Sequence, residues 1–155
     1  MLSFVPSIIF LIPMEQYVRV DREEFPLVIV TFTGAKPTPA NFQEYLNELY
    51  ANYSPKQPFV LVFDATLARV PGISYQKQQA EWMREHQNLI KSYCLGIAYV
   101  IPSTIIRNVL NLIFKIQPDV VDNKVFPNLE ESLIWANAQL EAASHSPTGE
   151  NRVEV

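Results

Sequence analysis

Two short, unbroken apolar runs constrain the fold of this chain more than any other feature. They are FVLVF at Phe59–Phe63 and CLGIAYVI at Cys94–Ile101. Each is too short for a typical helix, and neither has the alternation expected of a strand with one solvated face. Both are therefore predicted to be strands covered on two faces, as in a parallel sheet whose strands are joined through helices. Phe59–Phe63 is the expected central strand.

The segments around these runs have the apolar spacing of helices. Thr38 followed by Pro39 predicts a helix start, and apolar residues then recur every three or four positions as far as Tyr53. After a loop that begins at Ala65, Ser74 is predicted to cap a second helix that runs to about residue 91.

The remaining elements complete an alternating order. A third helix is expected from Ser103 or Thr104 to about Ile116, and a capping box of Asn128 and Glu131 begins the last helix. Leu129, Leu133, Ala136 and Leu140 are its predicted inner face. The other strands are predicted at Tyr17–Val20 and Leu27–Thr33, as a hairpin, and at Lys124–Phe126. The order β-β-α-β-α-β-α-β-α predicts a single α/β domain with a mixed, mainly parallel sheet and flanking helices.

The domain is expected to cover residues 14–142. Residues 1–13 are apolar and uncharged, but the run is short for a spanning helix and contains two prolines. Three interpretations stay open for it: a true start at Met14, an edge segment laid against the domain, or a weak anchor at a membrane surface. The composition then becomes small and polar near the end, so residues 143–155 are expected to form a disordered tail.

Charge and cysteine content narrow the range of partners. The chain has 155 residues and a net charge of −4, with 12 Lys and Arg against 16 Asp and Glu. This balance lacks the basic face that nucleic acids require, so nucleic acid is not an expected partner. Membrane contact is expected to be peripheral at most. Cys94 is the single cysteine, which rules out an internal disulfide and favours a reducing cytoplasm.

Three segments carry a resemblance to a known family. They are FVLVFD at Phe59–Asp64 with its following loop, the stretch Cys94–Phe114, and KVFPNLEESLIWANAQL at Lys124–Leu140. Together with the element order, they resemble the STAS domain of bacterial anti-sigma-factor antagonists, and within it the SpoIIAA-like family, which is also compared with CRAL-TRIO lipid-transfer domains. The resemblance implies a non-catalytic, regulatory binding module that acts through protein–protein interaction. Binding of a small hydrophobic ligand or a lipid is the alternative.

The resemblance also draws attention to the start of the second helix. The antagonist branch carries an Asp-Ser-Ser-Gly-like phosphorylation motif there, whereas this chain has Val70–Ser74 without that motif. Ser74 is close to the corresponding place and has two interpretations, a phosphate acceptor at a helix N-terminus or a simple cap. Asp64, at the end of the central strand, is either a functional group at the sheet edge or a side-chain cap for the loop that follows.

No constellation in the sequence has the pattern of an active site. The glycines make neither a phosphate loop nor a dinucleotide fingerprint, and His86, His145 and Cys94 lack the spacing of metal ligands. We therefore expect no enzymatic activity, no cofactor and no metal. His86 shares a helix face with Trp82, and it is either a pH-responsive residue or a hydrogen-bonded histidine at the edge of the core.

The third helix is more apolar than an outer layer requires. Its aliphatic and aromatic residues span about 200° of the helix wheel, whereas covering one sheet face needs about 100°. The excess is expected to meet a neighbouring helix, a protein partner, a second copy of the chain, or a lipid. The candidate binding residues are Ile106, Leu110, Ile113, Phe114, Arg107 and, on the preceding helix, Trp82. The lipid alternative predicts that Met83 also lines the site.

Overall fold

The computed structural model of the protein describes residues 15–145, which form an α/β fold around one five-stranded mixed sheet. The apolar segment predicted at residues 1–13 lies outside the described residues, and so do residues 146–155 of the predicted tail.

The strands lie in the sheet in the order in which they occur in the chain. The first two pair antiparallel, and each of the other three pairs is parallel. The predictions of an N-terminal hairpin and of a central strand that begins at Phe59 are therefore confirmed. The strands are β1 Val18–Asp21, β2 Leu27–Phe32, β3 Phe59–Asp64, β4 Cys94–Val100 and β5 Asn123–Phe126.

Five helices in the described part of the chain cover the sheet, and the strand order explains where they lie. The helices are α1 Pro39–Ala51, α2 Ile73–Glu85, α3 Gln87–Tyr93, α4 Thr104–Ile116 and α5 Leu129–His145. Connections between parallel strands are nearly always right-handed, so a sheet that grows in one direction places its connecting helices on one face. Residues of α1, α2, α3 and α4 share one core accordingly, and α5, which follows the last strand, packs on the other.

The starts of α1, α4 and α5 agree with the capping residues predicted from the sequence. Thr38 and Asn41 form a reciprocal capping box, in which Oγ1 of Thr38 accepts from the amide of Asn41 at 3.1 Å and Oδ1 of Asn41 accepts from the amide of Thr38 at 2.7 Å. Ser103 caps α4, and Oδ1 of Asn128 accepts from the amide of Glu131 at 2.9 Å at the start of α5. Each cap satisfies backbone donors that have no partner inside the helix.

The helix predicted from Ser74 to about residue 91 is wrong at its start and in its middle. The cap is Gly72, and Ser74 is already the second residue of α2. The helix then breaks at His86, whose φ of −108° and ψ of 15° are not helical. Nδ1 of His86 donates to the carbonyl oxygen of Trp82 at 2.8 Å, so this side chain is bonded to the last turn of α2 where the chain leaves the helix.

The last helix extends to the end of the described chain. The described chain continues α5 through residue 145, past the expected start of the disordered tail at Ala143. The segment EAASH contains two alanines, the residue with the highest helix propensity. A small, polar composition was therefore a poor signal for the helix end.

The apolar strands β3 and β4 supply both cores, as their unbroken runs predicted. The connecting face, covered by α1 to α4, takes Leu61 and Phe63 of β3 and Tyr99 of β4. The closing face, covered by α5, takes Val62 of β3 and Ala98 of β4. The predicted inner face of α5 is confirmed, because Leu129, Leu133, Ala136 and Leu140 all pack in the closing-face core.

Candidate binding cavity

A cavity of about 110 Å³ lies on the connecting face, between the sheet, α1, α2 and α4. Its size exceeds what a single water needs and is of the order that holds a small apolar ligand. Nearly all of its lining is aliphatic or aromatic. Apolar cavities of this kind bind apolar molecules in preference to water.

The floor of the cavity is a layer of aromatic rings on the sheet. Phe63 of β3 and Tyr99 of β4 are in register and stack at 5.5 Å between ring centroids with 7° between their planes. Phe32 of β2 lies 6.3 Å from Phe63, and Tyr17 meets Phe32 edge-on at 5.3 Å. Alternation along each strand explains the layer, because every second side chain points to the same face.

Helix α4 forms one wall of the cavity. Ile106, Leu110, Ile113 and Phe114, all predicted binding residues, line it together with Val109. Their spacing of three and four residues places them on one side of the helix. The wall continues the floor, since Phe114 meets Tyr99 edge-on at 5.9 Å.

The apolar residues of α4 lie partly inside the fold, where they line the cavity, and partly on its outer surface. Ile105, Leu112 and Ile116 are 65%, 49% and 54% exposed, and they form a stripe on the outer side of the helix. Arg107, also a predicted binding residue, is exposed and donates from Nη2 to the carbonyl oxygen of Ile101 at 3.2 Å. Intramolecular contacts thus account for part of the excess, and the outer stripe stays uncovered in the described chain.

The cavity opens at Arg69, which is exposed to solvent, and the polar residues of the lining belong to the loop that carries Arg69 and to α2. The loop after β3 contributes Ala68, Arg69 and Pro71, and α2 contributes Gln76 and Gln79. Nε2 of Gln76 donates to the carbonyl oxygen of Pro71 at 2.9 Å, which ties the loop to α2. Met83, predicted for the lipid alternative, lines the cavity from α2.

A polar pair of the buried Tyr99 and the half-buried Asp119 adjoins the aromatic floor. The hydroxyl of Tyr99 donates to Oδ2 of Asp119 at 2.8 Å. Burial raises the pKa of Asp119 to about 6, and the hydrogen bond from Tyr99 opposes part of that rise. The carboxyl therefore changes its charge near neutral pH while it is bonded to a ring of the cavity floor.

Trp82 and His86 lie in a different place from the predicted residues of α4. They border a shallow surface groove between α1 and α2, together with Tyr50. His86 stacks on Trp82 at 4.4 Å between ring centroids and meets Tyr50 edge-on at 5.5 Å. The half-buried His86 is thus bonded to its own helix, as in the core-edge interpretation, and Trp82 does not line the cavity.

Ser74 and Asp64 make local contacts. Ser74 is exposed in the first turn of α2, where its Oγ accepts from Nε2 of Gln78 at 3.2 Å. Oδ1 of Asp64 accepts from the backbone amide of Thr66 at 3.1 Å and from its hydroxyl at 2.6 Å. The Asp64 side chain therefore caps the loop after β3, as in the second of its two interpretations. This loop also carries Arg69, which lies at the cavity opening.

Sequence reasoning missed Arg69, Asp119 and the aromatic floor as parts of one site. Arg69 lies in a predicted loop, and Asp119 follows Pro118 in a segment without periodicity. The floor rings come from separate strands, and only the observed register brings them together. Within β3, the alternation of Phe59, Leu61 and Phe63 with valines was a signal that large side chains share one face of the sheet.

Residues 15–145 contain no candidate metal centre. Within this range no group of three or more His, Cys, Asp and Glu side chains is placed to hold a metal ion. Cys94 is fully buried, and burial raises the pKa of its thiol to about 12. Over the same part of the chain, no helix has both the length and the apolarity needed to cross a membrane.

No protein-family model, curated protein or solved structure matches this chain.

Proposed function

We propose that the domain is a non-catalytic, STAS-like binding module that holds a small apolar molecule in the cavity beneath α4. The single observation that carries the proposal is the unfilled space between the aromatic floor and the apolar wall of α4. Protein interiors normally close such gaps, so a retained space lined by large apolar side chains favours a ligand.

Burial of apolar surface is the expected source of affinity. A ligand that loses about 200 Å² of apolar surface to the cavity gains at most about 5 kcal/mol, at about 25 cal/mol per Å². That corresponds to a Kd on the order of 0.2 mM for a ligand with no polar contact. Tighter binding requires a further group on the ligand that meets the polar opening.

Binding without a chemical step is part of the proposal. In the described chain, no hydrogen bond joins His86 to a serine, threonine or cysteine, and Asp64 is occupied by its own loop. Nucleophilic catalysis needs such a pair. The resemblance to STAS and CRAL-TRIO-like domains points in the same direction, and we place the protein in the cytoplasm with at most peripheral membrane contact.

A neutral probe tests the apolar part of this proposal. We expect 1-octanol to perturb the methyl resonances of Ile106, Leu110 and Ile113 in a titration of the full chain followed by NMR. Ile106→Trp should weaken the binding at least tenfold, because the indole occupies the cavity. The matched control is Ile105→Trp, which adds the same ring on the exposed side of the same helix turn.

Equal affinity in the two tryptophan variants would remove the cavity as the site. Saturable shifts that avoid the cavity methyl groups would count against it equally. A thermal unfolding curve for each variant ensures that a lost signal reflects a filled cavity in a folded protein.

A second candidate function is favoured by the exposed stripe of Ile105, Leu112 and Ile116. Exposed apolar stripes on one side of a helix are typical of protein–protein contacts. We propose that the partner is a second copy of the chain, paired through α4, because one helix stripe can pack against its symmetry-related copy. This interface would leave the cavity lining on the opposite side of α4.

Sedimentation equilibrium of the full chain tests this pairing. We expect a monomer–dimer equilibrium that the double variant Leu112→Ser, Ile116→Ser shifts to monomer. Ile134→Ser on α5 is the matched control, because Ile134 is 66% exposed on a different helix. A monomer at all concentrations up to about 0.5 mM, a range typical for weak pairs, would exclude the pairing.

We also propose that phosphorylation of Ser74 regulates the module. Its hydroxyl is exposed in the first turn of α2, where a phosphate would meet a favourable helix dipole. After incubation with a serine kinase of the anti-sigma type, mass spectrometry should find one phosphate, which Ser74→Ala abolishes. An unmodified chain, or a phosphate on another residue, would argue against regulation through Ser74.

A further inference from the structure

The cavity opening differs from its walls in charge. Among the described residues that line the cavity, Arg69 alone is exposed and alone is charged. Its guanidinium makes no salt bridge or hydrogen bond to another residue of the described chain. An unpaired cation therefore stands where the apolar space meets solvent.

The neighbours of Arg69 can complete a polar rim. Gln76 and Gln79 line the same opening from α2. Gln76 uses its Nε2 on the carbonyl oxygen of Pro71, so the loop that carries Arg69 is held to the helix. The guanidinium thus belongs to a segment with a fixed connection to the cavity wall.

The interior of the cavity is apolar and carries no charged side chain among the described residues. Phe63, Tyr99 and Phe114 form a continuous apolar surface, and the hydroxyl of Tyr99 is already bonded to Asp119. None of these groups offers a free charge to a ligand. A molecule that satisfies both regions must be apolar along its length and anionic at one end.

We infer that the ligand is a monoanionic amphiphile, a carboxylic acid with one short apolar tail, whose carboxylate binds Arg69. This inference rests on the proposed function. Guanidinium groups bind carboxylates through two parallel hydrogen bonds, which also fix the orientation of the tail. One cation matches one negative charge, whereas a phosphate ester would normally require more donors.

Net charge adds selectivity to this arrangement. The chain carries −4 overall, so its general field repels anions, and a local cation at the opening is needed to reverse that effect. Within residues 15–145, no acidic side chain lines the cavity. A cationic amphiphile would therefore meet Arg69 without a compensating partner.

Three probes with the same tail test this inference. Binding of octanoate, 1-octanol and octylamine to the full chain is measured by calorimetry and by NMR shifts of the cavity methyl groups. We expect octanoate to bind about three- to tenfold more tightly than 1-octanol, a modest factor because Arg69 is exposed. Octylamine should bind most weakly.

Arg69→Gln should remove the preference for octanoate over 1-octanol. The matched control is Arg84→Gln, which removes one positive charge from an exposed site on α2 where Arg84 pairs with Glu81. Raising the salt concentration should weaken octanoate alone, because screening acts on the charged contact.

The outcomes separate this inference from the proposed function. If 1-octanol binds in the cavity but octanoate binds no more tightly, or if Arg69→Gln leaves octanoate unaffected, the anionic ligand is excluded and the apolar cavity stands. If none of the three probes reaches the cavity, both proposals fail.

Discussion

On the closing face, α5 lies close to the sheet over small residues, whereas on the connecting face the helices are held away by aromatic rings. Cα atoms of α5 approach those of β3 and β4 within 8 Å along the helix. Gly96 and Ala98 of β4, and Ala136 of α5, allow this approach, and a Cβ atom built on Gly96 would lie 3.0 Å from Cη2 of Trp135.

The connecting face has no comparable contact between α1, α2 or α4 and a strand in the described chain. Rings such as Phe63, Tyr99 and Phe42 fill most of the gap, and their shapes leave the cavity unfilled. Small residues allow a helix to pack close to a sheet, whereas large planar side chains hold it away and leave space between them. Stability and binding are expected to be concentrated on different faces of the same sheet.

Extra volume on the closing face should have the largest effect. Ala136 is fully buried, so Ala136→Leu should lower the free energy of unfolding by about 2–3 kcal/mol through overpacking. The matched control is Ala138→Leu on the exposed side of the same helix, which should change it by less than about 0.5 kcal/mol. Urea unfolding measures both. A tolerated leucine at position 136 would mean that the closing face is not tightly packed.

Much of this contrast could be anticipated from the sequence, and part of it could not. The strands, the caps at Thr38, Ser103 and Asn128, and the inner face of α5 are local patterns that a single segment expresses. The cavity arises from the register between β2, β3 and β4 and from the position of α2 relative to α4. No single segment encodes these relations.

The sequence therefore predicts only part of the candidate site. The apolar side of α4 is a periodic signal, and it led to the prediction of Ile106, Leu110, Ile113 and Phe114 as binding residues; all four line the cavity. Arg69 and Asp119 lie in loops, where position depends on the whole fold instead of periodicity. The break at His86 was not predicted, because His86 fits the apolar face of a longer helix.

The second-largest effect should come from pH and should be confined to the connecting face. The ordinary pKa of the Asp119 carboxyl is 3.8, and burial raises it to about 6 in the folded chain. The folded state therefore binds this proton more tightly, so the contribution of Asp119 to stability is present below about pH 4 and is lost as pH rises through about 6. We expect a loss on the order of 1–2 kcal/mol, below the full conversion of the shift because the residue is only half-buried.

Asp119→Asn isolates this effect from that of the other carboxyl groups. Urea unfolding at pH 4, 5, 6 and 7 should give a difference between wild type and variant that turns against the wild type as pH rises. Asp122→Asn in the same loop serves as the control for a simple change in net charge. Parallel pH curves for wild type and Asp119→Asn would show that the carboxyl is solvated.

The smallest effect should come from adding a single methylene on each face in turn. Val62→Ile on the closing face should cost about 1 kcal/mol, because Val62 is fully buried in the core beneath α5. Val109→Ile points the same added volume toward the cavity, since Val109 lines it and is 9% exposed. We expect a change between zero and a gain of about 0.5 kcal/mol there, as in other cavity-filling substitutions. Ligand affinity should fall in Val109→Ile alone, because the added carbon takes volume from the ligand. Equal destabilisation by the two isoleucines would mean that both faces are packed alike and would leave the cavity without the free volume that binding needs.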